Sequence, residues 1–347
     1  MFVFFIISGY VLSYKYFTTN DRKIIISSAI KRYFRLTIPI LFSCLIAYTC
    51  LHFNLFFNRK TSLLVNSAFL NNCYNFSPNF FKMIKFALYD VYFKYDTAGS
   101  YNPPLWIMPY EFFGSFLCFF LLLFIRSHRV RIIMYPLLFL LLFSFKGLFL
   151  NLTSFLLGMM LCDLNTARNT KRLFLNKKII LFIFFAMGIY FASFKPYSVY
   201  LYGILNKISI APLVFPSNIV FYRYIGAFLV VCALTHSKVL QSIFSQKILL
   251  FLGKISFMIY LLQVTVLCSL SSYIYYIFYS LVNSNKLCFI TTFVLSFPVI
   301  ILLSWLSYMF VEKKSILAST KISDIMQSSC RNIYYSFKAK SSSLRLS

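Results

Sequence analysis

The chain has 347 residues, 60% of them hydrophobic and only 12% charged, with 44 Phe and 26 Tyr. A mean hydropathy of +0.78 excludes a disordered chain, a collagen and a disulfide scaffold, and leaves a polytopic membrane protein. The net charge of +27 would suggest nucleic acid in a soluble protein. Here the basic residues lie mostly between apolar runs, where they orient helices in a bilayer, so no nucleic-acid partner is expected.

In chain order, nine apolar runs read as membrane-spanning helices: 1–14, 36–57, 104–125, 131–145, 147–162, 179–194, 218–236, 249–270 and 287–311. The predicted fold class is an all-α transmembrane helix bundle. A crossing needs about 20 residues, which the second, third, seventh, eighth and ninth runs meet and the others do not. The first run opens directly on Phe2-Val3-Phe4-Phe5 and lacks the basic start and cleavage site of a signal peptide.

Residues 15–35 carry six cations, among them Arg32 and Arg35 in Lys31-Arg32-Tyr33-Phe34-Arg35-Leu36, just ahead of Pro39. On a helix, positions three apart share a face. Two guanidiniums there form a fork suited to phosphate or carboxylate. They read as a binding site for a phosphorylated donor at the cytoplasmic face, or as an ordinary positive-inside anchor on lipid headgroups. The following loop, 58–103, falls outside and contains the sequon Asn75-Phe76-Ser77.

In the third run, Glu111 is the one acid inside a clear span. An ionisable group at membrane depth is a functional hypothesis, here proton transfer. The plainer reading is an interfacial carboxylate hydrogen-bonded to Trp106 or Tyr110. His52, His128 and His236 lie in no recognisable nucleophile pattern, and His128 reads as solvated in a basic loop. In the eighth run, Ser256, Tyr260 and Gln263 share a helix face that either lines a path or joins helices.

Alternate loops divide the cations 23 to 9, and the richer set, which includes the tail, is read as cytoplasmic. Nine spans would then leave Met1 outside. An even count with both ends inside is simpler, which predicts one further helix ahead of Met1, unless a short run is miscounted. The segment after residue 312 reads as a basic, disordered cytoplasmic tail, 313–347, behind a membrane domain over 1–312. The nine cysteines form no C-x-x-C pair or Cys/His cluster, so neither a metal site nor a disulfide framework is expected.

Five blocks resemble the acyltransferase-3 family of integral membrane O-acyltransferases. Phe4-Phe5-Ile6-Ile7-Ser8-Gly9-Tyr10-Val11-Leu12 is similar to its second helix. Lys31 to Leu36 with Pro39, Leu105-Trp106 with Glu111, Leu252-Gly253-Lys254-Ile255-Ser256 through Tyr260-Leu261, and Phe310-Val311-Glu312-Lys313-Lys314 follow in family order. The resemblance implies about ten helices in the complete fold and transfer of an acetyl or other short acyl group from acyl-CoA to a hydroxyl, often on a surface carbohydrate. It implies donor binding by Arg32 and Arg35, and places Trp106 and the catalytic Glu111 on the reaction path. Tyr260 and Gln263 are the further substrate-binding candidates. The partners are then acyl-CoA, a hydroxyl-bearing acceptor and the lipid bilayer, with no bound cofactor.

Two departures stand out. The family's first helix, which carries the His regarded as its base, is expected upstream of this chain. The late-helix His of many members is Gln263 here, and an amide cannot take a proton from a hydroxyl at neutral pH. The rival expectations are a non-catalytic truncated relative, and a transporter or lipid-handling protein, which would often show inverted repeats; no repeat is evident.

Overall fold

The structure, a computed structural model, describes residues 1–125, 127–144, 148–166, 178–195 and 218–343. Arg126, Lys146, most of the basic loop 163–178, most of the loop 195–217 and the end of the tail, all used above to orient the chain, lie outside the described residues. Among those described, every regular element is helical. Among the described residues, each of the nine apolar runs lies mostly on helix. Five of the helical stretches are long and apolar enough to cross a bilayer: Arg22–His52, Pro103–Phe124, Ile219–His236, Lys247–Val282 and Asn285–Ser329.

The chain divides into two compact units: Met1–Ala29 with Tyr110–Lys247, and Ile30–Pro109 with Ile248–Ser347. The first contains α1 (Phe2–Thr19), nearly all of α7 (Met108–Phe124), α8 (His128–Ser144), α9 (Leu148–Thr166), α10 (Lys178–Ala192), α11 (Asn218–His236) and α12 (Lys238–Phe244). The second contains most of α2 (Arg22–His52), α3 (Asn58–Val65), α4 (Ala68–Asn72), α5 (Phe80–Lys85), α6 (Val91–Phe93), α13 (Lys247–Val266), α14 (Ser272–Val282), α15 (Asn285–Ser307) and α16 (Lys313–Ser343).

In the first unit, close helix approach replaces the hydrophobic effect, which lipid does not supply between helices. A Cβ at Gly9 would overlap the backbone of Phe155, and one at Gly158 would overlap the carbonyl of Ile6, so α1 and α9 lie backbone to backbone. Gly188 and Gly226 do the same for α10 and α11. Ile6, Leu161, Ala227 and Val231 close the core among α1, α9 and α11.

Asn residues in the left-handed region end helices, at Asn20 (φ 55°), Asn66 (φ 51°) and Asn283 (φ 50°), where a short amide tolerates the turn. In the second unit, Ser67 and Asn79 cap α4 and α5 by accepting from the N–H of Leu70 and Lys82. Asn58, buried, donates to the carbonyls of Leu70 (2.6 Å) and Cys73 (2.9 Å), which ties α3 to the turn after α4. Tyr74 stacks on Phe56 with centroids 4.1 Å apart, above a core of Ala47, Leu70, Val264 and Cys268.

Some boundaries differ from the sequence reading. The basic stretch expected as a loop over 15–35 is largely helix, broken only at Asn20-Asp21, and Asp21 Oδ1 accepts from Lys23 N at the restart (2.9 Å). Arg32 and Arg35 therefore lie within a continuous helix that runs through Pro39. The stretch read as a polar tail is helical over Lys313–Ser343. Its first turns bury Ser315, Ser319 and Ser323, a stripe at helical spacing whose small side chains permit close packing.

Candidate functional site

A 3-10 turn, Pro103–Ile107, leads into α7. It puts Glu111 on the first helical turn, 3% exposed. Ser8 of α1 donates its hydroxyl to Glu111 Oε1 at 3.0 Å. The Ser115 hydroxyl folds back onto the Glu111 carbonyl oxygen at 2.6 Å. Gly9 explains why Ser8 reaches that point, because the missing Cβ lets α1 settle on α9 beside Phe155. The Phe155 ring stacks on Phe5 at 5.1 Å and fills the space left open by Gly114 of α7. One buried ring and two glycines thus set the register of α1 against α7. The outcome is a carboxylate aimed by a hydroxyl, the kind of group that accepts a proton from an alcohol.

Arg32 and Arg35 stand on one face of α2, as their spacing predicts. Arg35 is exposed at the surface. Glu312, 8% exposed, sits in the π-helical turn Tyr308–Glu312 that joins α15 to α16. The sequence reading quoted Glu312 only within a closing motif; in the fold it is a buried carboxylate at this turn. The helix is held at this level by Tyr33, which donates to the Leu88 carbonyl (3.0 Å), and by a Thr37–Tyr92 hydroxyl pair (2.9 Å).

Trp106, on the 3-10 turn, is 44% exposed. That turn is braced from beneath. Asn102, wholly buried, donates through Nδ2 to Ser43 Oγ (3.1 Å) and to the Leu261 carbonyl (2.8 Å). The Tyr260 hydroxyl donates to the Pro104 carbonyl. Tyr95 donates to the Pro103 carbonyl at 2.8 Å, and burial raises its phenol above the ordinary value.

The polar face read on the eighth run therefore separates into different environments. Tyr260 braces the Trp106 turn. Gln263, exposed, borders an apolar cavity of about 420 Å3 together with Thr61, Tyr275 and Phe293. Ser256, also exposed, bonds its own helix at the Gly253 carbonyl (2.8 Å).

Glu111 belongs to one unit, and Arg32, Arg35, Trp106, Tyr260 and Gln263 to the other. Sequence reasoning missed three positions. Ser8 was quoted in a motif without a role. Asn102 precedes Pro103-Pro104, and that position ahead of a proline pair was its only signal. His128 was read as solvated, yet its Nδ1 lies 3.0 Å from Asp163 Oδ1. Asp163, 3% exposed, also takes two bonds from Arg131 (2.7 and 3.0 Å) and one from Tyr135 (3.0 Å). A buried carboxylate must collect donors in this way, and the result closes α8 onto the end of α9.

A family model described as an acyltransferase domain, that of acyltransferase-3, matches residues 1–309. Searches of curated proteins and of solved structures gave no match.

Proposed function

The chain belongs to the acyltransferase-3 family, and from that premise we propose that it is a membrane O-acyltransferase moving an acetyl or other short acyl group from acyl-CoA to a hydroxyl, on a carbohydrate or another cell-surface acceptor. The observation that carries the reading is the buried Glu111 carboxylate held by Ser8 at 3.0 Å. In the proposed step, the acceptor oxygen bonds to the thioester carbonyl carbon and the C–S bond breaks. The hydroxyl proton passes to the Glu111 carboxylate and then to the departing CoA thiolate. Ester and thiol are the products, with no redox change.

Arg32 and Arg35 pair with the donor phosphates, which stay on the cytoplasmic side because acyl-CoA is too polar to cross lipid. Trp106, Tyr260 and Gln263 form the substrate-binding set, in which Trp106 and Gln263 contact substrate and Tyr260 positions Trp106 by holding its turn. The positive-inside distribution supports a cytoplasmic C-terminus.

The test uses membranes containing the full chain, acetyl-CoA labelled in the acetyl group, and a panel of sugars and polyols. Label should appear in an ester, with one thiol released per ester formed. Glu111→Gln should lower the rate by about 10²-fold or more at unchanged protein level. A correctly inserted chain that labels no acceptor would overturn the proposal.

A further inference from the structure

We infer that the loop region of the second unit binds an anionic sugar, a pyranose carrying a carboxylate, in a cavity of about 390 Å3 bordered by Phe76, Tyr101, Lys82, Lys85, Lys94 and Asp90. That volume lies within the range of small-molecule sites. Four observations converge on it.

The first is charge in an unexpected place. On the proposed orientation, residues 58–103 face outward, where positive residues are normally sparse. The loop nevertheless carries five cations, and three of them, Lys82, Lys85 and Lys94, border this one cavity.

The second is an aromatic wall. Phe76 meets Tyr101 edge-on at 4.9 Å, and Phe86 stands 5.9 Å from the same ring. Tyr101 is pinned at its far end, donating to the Asn79 carbonyl (2.9 Å) and accepting from Asn79 N–H (3.0 Å). Tyr101 and Phe86 are buried and back the half-exposed Phe76, so a pyranose that lays its C–H face on Phe76 meets a ring set in advance and loses little entropy.

The third is carboxylates among the lysines. Asp90 and Asp96 border the cavity as well. The Lys85 ammonium pairs with Asp90 Oδ1 at 3.8 Å, beyond hydrogen-bond reach, and that oxygen is itself buried. Asp96 Oδ1 takes the Ala98 N–H at 3.2 Å; the second oxygens of the two carboxylates suit sugar hydroxyls, and their charge repels a bare anion. Three cations against two carboxylates leave one positive charge, which matches a singly charged sugar.

The fourth is the backbone. The helix from Phe80 is interrupted by a π-helical turn over Phe86–Asp90. Such turns cost regular geometry and recur at functional sites. This one brings Phe86 and Asp90 to the same cavity.

As an acceptor subsite, the assignment rests on the acyl-transfer reading; binding itself needs no donor. The test is saturation-transfer NMR and titration on the detergent-purified full chain, with D-glucuronate, D-glucose and inorganic phosphate as separate probes. Saturation should reach the ring protons of glucuronate. Glucose and phosphate should each bind about tenfold more weakly.

The triple variant Lys82→Ala, Lys85→Ala, Lys94→Ala should lose glucuronate binding by a similar factor, and Phe76→Ala should weaken both sugars. The matching triple Lys→Arg variant should retain binding. If the triple alanine variant does not fold, Lys94→Ala, at an exposed loop position, is read in the same way. Equal affinity for glucose, equal affinity for phosphate, or unchanged glucuronate binding in the folded lysine variant would each overturn the inference. A chain that binds glucuronate through these lysines but esterifies nothing would sink the acyl-transfer reading and leave this site standing.

Discussion

At the residue scale, the pairing of Ser8 with Glu111 separates a positioned carboxylate from an isolated one. Replacing Ser8 with Ala removes a hydrogen bond to a buried, charge-bearing group, worth about 1.5–3 kcal/mol. Ser8→Ala should therefore cut acyl transfer by about 10- to 100-fold with little change in the KM for acyl-CoA, read from initial rates. An equal rise in KM would mean that Ser8 acts on donor binding instead. Arg35 makes the opposite case. Arg35→Lys keeps the charge but loses the planar fork that grips phosphate in two bonds. Donor affinity should drop by about tenfold in a binding assay with a non-transferable acyl-CoA analogue, while thermal stability holds. Glu111 and the arginines stood out in the sequence as rare charges beside apolar runs. Ser8 did not, because a serine in a membrane helix more often bonds its own backbone and nothing local says that a carboxylate 103 positions away will meet it.

At the element scale, glycine contacts decide which helices touch. Gly158→Val places side-chain atoms where the Ile6 carbonyl lies. It should destabilise the folded chain by about 1–3 kcal/mol, read as a lowered unfolding midpoint in detergent. Gly253→Ala is the control, because nothing lies within 4 Å of its Cβ position, and it should be neutral or slightly stabilising through helix propensity. The Asp163 cluster behaves differently. Asp163→Ala strands the Arg131 guanidinium at a buried position and should cost about 3–5 kcal/mol, whereas His128→Ala, at a side chain 40% exposed, should cost under about 1 kcal/mol. Comparable losses for the two would show that the histidine, not the arginine, holds the cluster. Helix existence was legible in the apolar runs. Helix extent was not, since α2 begins in the basic stretch and the eighth run continues through a π-helical turn, Leu267–Ser271, to Val282. In α2, charged residues that favour helix and carry no breaker extend the span past its apolar part.

At the scale of the whole molecule, the cation asymmetry makes a topological prediction. In intact cells a cysteine introduced by Ser77→Cys should react with a membrane-impermeant maleimide, while an epitope after Ser347 should be reached by antibody only once the membrane is permeabilised. The reverse pattern would invert the orientation and place the lysine-rich cavity on the cytoplasmic side. The sequence alone determined that the protein is a helical membrane acyltransferase, because apolar runs, their spacing and short motifs are local properties written in consecutive residues. It also named the charges that have to be explained. Only the tertiary structure decided what the polar side chains meet: Ser8 for Glu111, the Pro104 carbonyl for Tyr260, and Asp163 for His128. Each partner comes from a helix or turn distant in the chain, and helix packing, set by glycines and buried rings rather than by sequence proximity, selects it.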